Sequence, residues 1–403
     1  MQWIVVIRPT EGVSMRRRFP WLAPVGVLVA LLLAACAGAP APTPTPTASP
    51  APAIEPTGNV GGRVGDRAPE FKGITGWVNS DPLTMESLRG KVVLFDFWTY
   101  TCVNCLRTLP YIREWHARYA DRGLVIVGVH APEFEFEKVT ANVVKASRDF
   151  GLRYPVAQDN DFATWSAYGN RYWPSKYLVD KDGFVAFTHF GEGAYAETEE
   201  KIRELLTAAG ADLSGVPAAN LPEPVADPRA YGSEPETRVT RELYGGFLRN
   251  HSLTGLYVAD ARYYDGPDQV LEYTDPGRYL NHHIYLQGLW RNGAEALHHA
   301  RATANHEDYI VIKLHASSVN AVIEPRTEVP FDVRVVIDGH PLTPDEAGED
   351  MTFIDGHSIV RVTEPRMYSI VTLDTFEGHE LKLSSNSESF SLFAFTFGAY
   401  VPQ

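Results

Sequence analysis

The run Lys91-Val92-Val93-Leu94-Phe95-Asp96-Phe97 is apolar at almost every position, with one acid inside it. A continuous run this short predicts a strand buried on both faces. Leu124-Val125-Ile126-Val127-Gly128-Val129 predicts a second. Between them, Leu106 to Arg122 carries apolar residues at helical spacing and stops at Gly123. Val139 to Phe150 repeats the helical pattern and stops at Gly151. Two further runs, Lys176-Tyr177-Leu178-Val179 and Phe184-Val185-Ala186-Phe187, flank Asp182-Gly183, a hairpin signal. Thr198 is placed to cap a last helix through Leu206. The order β-α-β-α-β-β-α over residues 63–208 predicts a mixed sheet with helices on its faces.

The pattern then changes. Residues 209–235 are rich in Pro, Ala and Gly and read as a linker. From 236 to 403 the signal is short alternating runs: Tyr309 to Leu314, Phe331 to Ile337, and Phe390 to Phe397, with Asp338-Gly339 as a turn. Helical spacing is scarce. An all-β sandwich or jelly roll is predicted, and with no cysteine in it the core must hold without disulfides.

The N-terminal segment has a different character. Arg16-Arg17-Arg18 precedes an apolar run from Val25 to Leu33, and Leu33-Ala34-Ala35-Cys36 follows. Residues 1–36 read as an export signal. Its end resembles a bacterial lipobox, which implies cleavage before Cys36 and lipidation of that residue, anchoring the protein to a lipid bilayer. The alternative is an ordinary secretory peptide cut near Ala35. The apolar run is short of the roughly 20 residues that span a bilayer. Met15 is an alternative start. Residues 37–62 open with a Pro/Ala/Thr tract that cannot build a core and predicts an extended tether of about 3.1 Å per residue. The expected place is outside the cytoplasm.

Composition narrows the function. The net charge of -14 over 403 residues argues against nucleic acid, which needs a basic footprint. Of three cysteines, Cys36 belongs to the signal, leaving Cys102-Val103-Asn104-Cys105. A disulfide between residues three apart adds little loop-closure stability, so the expected use is chemical. Cys102 falls between a strand end and a helix N-terminus, where unpaired N–H groups and the helix dipole favour a thiolate. That marks Cys102 as the nucleophile and Cys105, one turn on, as the resolving thiol. Asp96, six residues earlier in the buried run, is placed to take the proton of Cys105. The other reading of Asp96 is a strand-end carboxylate in water.

Asp96-Phe97-Trp98 followed by Cys-x-x-Cys resembles thioredoxin. Trp173-Pro174 before the Lys176 run is similar to that family's cis-proline loop, which implies that Trp173, Pro174 and the neighbouring Trp98 contact the substrate. The extra residues from Glu133 to Asp161 resemble the insertion of the TlpA-like branch. The phrases Phe97-Trp98-Thr99-Tyr100-Thr101-Cys102-Val103-Asn104-Cys105 and Gly128-Val129-His130-Ala131-Pro132-Glu133-Phe134-Glu135-Phe136 resemble the thioredoxin-like region of DipZ-type proteins. In those a β-rich, carbohydrate-module-like domain follows and ends in Phe-Thr-Phe-Gly, as Phe395-Thr396-Phe397-Gly398 does here.

The resemblance implies a thiol:disulfide oxidoreductase that needs no dissociable cofactor and acts on dithiols and disulfides of exported proteins. TlpA-like relatives mostly reduce, often apocytochrome c cysteines, and the DipZ resemblance adds oxidative-stress defence. DipZ proteins carry a multispan region that delivers electrons. A lipobox and tether stand here instead, which implies a separate membrane donor, such as a CcdA-like protein. Val103-Asn104 replaces thioredoxin's Gly-Pro dipeptide, leaving the redox direction open.

Other readings are weaker. One Cys-x-x-Cys supplies half a zinc site, and the pairs His282-His283 and His298-His299 face opposite ways on strands. The Pro-x-x-x-Thr/Ser-x-x-Cys phrase of peroxiredoxins is absent before Cys102. Glu133, Glu135 and Glu137 read as a solvated face rather than a gate. In the β domain Trp290, Tyr263, Tyr264 and Tyr285 are candidates for stacking on a glycan, against a core role. The alternative function is a binding module with a static disulfide.

Overall fold

A computed structural model describes residues 59–400, apart from 220, 235–236 and 251–255. The signal, Cys36 and most of the tether lie outside the described residues. From residue 59 onward the chain falls in one compact unit.

The first part is a six-stranded mixed sheet built from β1 (Gly76–Val78), β2 (Val92–Trp98), β3 (Leu124–His130), β4 (Val156–Gln158), β5 (Ser175–Val179) and β6 (Val185–Phe190). Its order is β1-β4-β3-β2-β5-β6. Strands β2, β3 and β4 run parallel, while β1, β5 and β6 pair antiparallel with their neighbours. All seven residues of β2 are buried, as expected of a central strand covered on both faces.

Helices α1 (Val103–Tyr119), α2 (Thr140–Asp149), α3 (Ala163–Ala167) and α4 (Tyr195–Ala208) complete this part. A 3-10 turn closes α1, and Gly123, at φ 99°, then supplies the left-handed conformation that ends it. Gly128 is required by space: a Cβ there would lie 2.9 Å from Trp98 Nε1 and 3.2 Å from the Tyr154 ring.

The last helix begins at Tyr195, three residues before the expected cap. Its free N–H groups at Tyr195 and Ala196 are met by the Glu223 carboxylate, at 3.0 and 3.2 Å. Thr198 Oγ1 instead donates back to the Ala194 carbonyl. A cap supplied from distant chain leaves no local signature. Strands β1 and β4 and helix α3, three to five residues each, also lack a readable period.

The second part is all β. Its strands are β7 (Leu243–Tyr244), β8 (Val270–Tyr273), β9 (His283–Asn292), β10 (Leu297–His299), β11 (Tyr309–Pro325), β12 (Phe331–Ile337), β13 (His340–Pro341), β14 (Met351–Ile354), β15 (His357–Val362), β16 (Arg366–Ser384) and β17 (Phe390–Gly398). The main path runs β14-β15-β12-β16-β11-β17-β10-β9-β8. Register breaks between β11 and β16, at Ala316/Ser318 and Val319/Asn320, are β-bulges that bend these two long strands. One continuous sheet thereby forms a closed barrel-like sandwich. In β12, Phe331, Val333, Val335 and Ile337 are buried in strict alternation.

The aromatic candidates for glycan stacking mostly belong to the core. Trp290 and Tyr263 are fully buried, and Tyr285 is buried too. Trp290 packs on His299 and Phe390 and donates to the Gln287 carbonyl, and Tyr263 packs on Tyr264 and Phe247. The half-buried Tyr264 hydrogen-bonds the Val258 carbonyl. Large rings in a thin sandwich fill its interior, which removes Trp290, Tyr263 and Tyr285 from the surface.

Candidate active site

Strand β2 ends at Trp98 and α1 begins at Val103, so the loop from Thr99 to Cys102 turns at the C-terminal end of the central strand. Cys102 is the N-cap residue of α1, and its Sγ accepts the Cys105 N–H at 3.1 Å. A sulfur that accepts a helix N-terminal N–H is held where a thiolate is favoured. Cys102 and Cys105 form a disulfide with Cα atoms 5.2 Å apart. Both cysteines are buried in this oxidised form.

Asp96 sits within β2 and is 1% exposed. This settles its environment against the water-facing reading. Its direct partner in β5 is Lys176, and in β3 it is Gly128. Burial pushes the Asp96 carboxyl up to about 6, and the Lys176 charge restrains the rise. Burial pulls the Lys176 ammonium down, opposed by the charges of Asp96 and Glu192. Neither Asp96 Oδ1 nor Lys176 Nζ has a hydrogen-bond partner among the described residues. A carboxyl near pKa 6 in a dry sheet can exchange a proton at neutral pH.

The Trp173–Pro174 peptide bond is cis and opens β5. Trp173 is buried against Trp165, 4.5 Å between ring centroids. Trp98 is fully buried, with His130 edge-on at 5.4 Å. Cys102, Cys105, Asp96 and Trp98 thus belong to one β2–α1 segment, with Pro174 immediately before β5, β2's antiparallel neighbour.

The insertion acids divide. Glu135 is exposed, but Glu137 is fully buried. Glu137 accepts from Thr101 N–H at 3.2 Å, Thr101 Oγ1 at 2.6 Å and Phe134 N–H at 3.1 Å. The solvated-face reading is therefore corrected for Glu137. Free N–H groups of the tight turn before Glu135–Lys138 and of the cysteine loop recruit its carboxylate inward. Burial pushes it up to about 7, while the hydrogen bonds from Thr101 and Thr99 hold it down. His130 is also buried, lies 3.2 Å from Thr99 Oγ1, and is pushed by burial down to about 3, hence neutral.

Glu133 points the other way, to the β domain. It pairs with Arg249 at 2.5 Å and takes the Tyr244 hydroxyl at 2.9 Å. Phe134 and Phe136 meet Phe393 of β17 edge-on, at 5.1 and 4.9 Å. The insertion is thus wedged between the cysteine loop and the sandwich.

Lys176 and Arg107 carry no sequence signal of their own that marks them as parts of this site, and Glu137 reads along the chain as one acid of a solvated face. The acid in the β2 run was a usable signal for a buried cation nearby, since buried charges are paired. Among the described residues no group of three or more His, Cys, Asp or Glu side chains could hold a metal ion. His299 instead binds Asp308 at 3.0 Å, and His298 lies 2.7 Å from Ser391 Oγ.

Comparisons with known proteins cover both parts of the chain. Residues 240–398 match the family described as "Thioredoxin like C-terminal domain", and residues 64–188 match the AhpC/TSA family. Protein DipZ of Mycobacterium tuberculosis and of Mycobacterium bovis is 35% identical over 337 residues, covering 82% of this chain. Over the matched residues the thioredoxin-like domain architecture matches that of DipZ-type proteins. The chain spans 43% of the length of those DipZ relatives. Thiol-disulfide oxidoreductase YkuV of Bacillus subtilis is 29% identical over 139 residues, 34% of this chain and 93% of that one. A solved thiol:disulfide interchange protein DsbE from Chlorobium tepidum is 29% identical, with a TM-score of 0.31, over 37% of this chain and 99% of its own. The thioredoxin-like fold, the close cysteine pair and the likeness to DipZ support a thiol:disulfide oxidoreductase role.

Proposed function

We propose that this oxidoreductase is a disulfide reductase for exported proteins, held at the outer side of a bacterial membrane by lipidated Cys36. The observation that carries the site reading is Cys102 at the N-cap of α1, one strand-end away from the buried Asp96–Lys176 pair. The direction follows from the likeness to TlpA-like proteins. Among the described residues no helix is long and apolar enough to cross a membrane.

The chemistry runs in two exchanges. The Cys102 thiolate attacks one sulfur of a substrate disulfide, and the other sulfur leaves and takes a proton. Cys105 then gives its proton to the Asp96 carboxylate and attacks Cys102 Sγ, which frees the second substrate thiol. Two electrons pass to the substrate, and the enzyme is left as the Cys102–Cys105 disulfide. A dithiol donor, in the CcdA-like role, reduces it again. Pro174, with Trp173 and Trp98 behind it, supports the substrate strand. Exported apocytochrome c or an oxidatively damaged protein fits as client.

Cys105→Ala in the exporting cell is the test. A reductase traps client proteins as mixed disulfides on Cys102. A static disulfide in a binding module traps none.

A further inference from the structure

Arg107 lies two residues beyond Cys105 in α1. Its Nη2 donates to Asn104 Oδ1 at 2.6 Å, and Asn104 is one of the two residues between the cysteines. Nε and Nη2 also reach the Glu192 carboxylate, at 3.0 and 2.8 Å. Glu192 follows β6, in the loop whose Gly191 N–H donates to the Pro174 carbonyl at 2.8 Å. The ion pair therefore bridges the cysteine helix and the segment that backs the cis-proline.

The β domain closes this cluster. Tyr400, just past β17, donates its hydroxyl to Glu192 Oε2 at 2.9 Å. Its ring lies 4.9 Å from the Arg107 guanidinium. The Arg107 and Glu192 side chains are only 23% and 13% exposed. A pair so covered is screened little by salt.

We propose that Arg107 and Glu192 are a positioning charge pair that sets how readily Cys102 holds a thiolate, and that Tyr400 makes the β domain part of the active site by sealing this pair from water. Arg107 stands five residues after Cys102, the N-cap of the same helix, and is tied to the cysteine motif through Asn104; a cation on that side favours the thiolate, and an anion opposes it. The two partners therefore act on Cys102 with opposite sign. The other charged or titratable groups facing the pair are Glu242, Tyr111, Tyr195, Tyr231, Lys176 and His189. Lys176 feels both Glu192 and Asp96, so Glu192 also reaches the proton acceptor of Cys105. His189 lies 3.0 Å from the Glu192 carbonyl, and burial holds it below its ordinary value. This inference rests on Cys102 being the attacking thiol.

The experiment follows thiolate absorbance near 240 nm against pH in the reduced full chain. Glu192→Gln shifts the Cys102 midpoint down by about one unit and Arg107→Gln shifts it up by a similar amount. Arg107→Lys, which keeps the charge, brings the midpoint back toward wild type and covers the case in which Arg107→Gln fails to fold. Tyr400→Ala makes the midpoint move between about 0.05 and 0.5 M salt, while the wild-type midpoint stays put. Each one-unit shift also changes the equilibrium with glutathione, toward the reduced protein for Glu192→Gln. Midpoints that do not move, or that move in the same direction for both substitutions, overturn the pair alone. A Cys102→Ser protein that keeps the low-pH thiolate signal of the wild type overturns the attacking-thiol reading and the pair together.

Discussion

Asp96, within β2, and Asp308, just ahead of β11, are both buried aspartates, one in each part of the molecule. Asp308, ahead of β11, accepts from Arg301 at 2.6 and 2.7 Å, from His299 at 3.0 Å and from the Leu289 N–H at 3.2 Å. Burial pushes its carboxyl up, but these partners together outweigh it and hold the group below the ordinary carboxylate range. Asp96 has one oxygen, and Lys176 an ammonium, without a hydrogen-bond partner among the described residues, and burial carries the Asp96 carboxyl up to about 6. The same side chain is thus a fixed acceptor in the sandwich and an exchangeable proton store beside the cysteines. A sheet can bury a carboxylate for stability by satisfying it, or for chemistry by leaving it unsatisfied.

The largest effect expected is at the cysteines. Cys102→Ser removes disulfide exchange altogether, while Cys105→Ala keeps the first attack and stops at the mixed disulfide; insulin reduction with electrophoresis under non-reducing conditions separates the two. Next is Asp308→Ala, which leaves Arg301 and His299 without their shared partner. It should cost about 2–3 kcal/mol by urea unfolding and leave the thiolate midpoint of Cys102 where it was. A changed midpoint would break the separation between the two carboxylates.

Asp96→Asn is expected to do the reverse, slowing resolution of the mixed disulfide about a hundredfold without loss of stability at pH 7. The pH dependence carries opposite signs for the two groups. Asp96 has a raised folded pKa, so its stabilising contribution is full below about 3.8 and is lost as pH rises through about 6. That swing is about 3 kcal/mol and should vanish from the stability curve of Asp96→Asn. Asp308 has a lowered folded pKa, so its contribution is present above the ordinary carboxylate value and is lost as pH falls through the folded one. The smallest change is that of Lys176→Met. With the opposing charge gone, the Asp96 titration followed by carboxyl carbon NMR should move above 6.

Much of this site could be read along the chain, because its parts are local. The β2 run, the Cys102–Cys105 spacing and the helix that starts at the first cysteine lie within thirty residues of one another. Pro174 was found through the likeness of Trp173-Pro174 to a known loop. The sandwich strands β11, β12 and β17 were visible through apolar runs and alternation. What stayed hidden depends on register and distant pairing. Lys176 faces Asp96 only because β5 pairs antiparallel with β2. Glu137 looks like one acid in an acidic stretch, and only the turn geometry sends it inward to Thr101. Glu192 and Tyr400 reach Arg107 from 85 residues away in one case and from the far end of the sandwich in the other.

The most direct test of the reductase assignment is the equilibrium between the Cys102–Cys105 pair and a glutathione or dithiothreitol buffer of known ratio. A reduction potential near thioredoxin's roughly -270 mV is the expected result, since a donor-fed reductase must pass electrons to substrate disulfides. A value near DsbA's roughly -120 mV would contradict it and make the protein an oxidant.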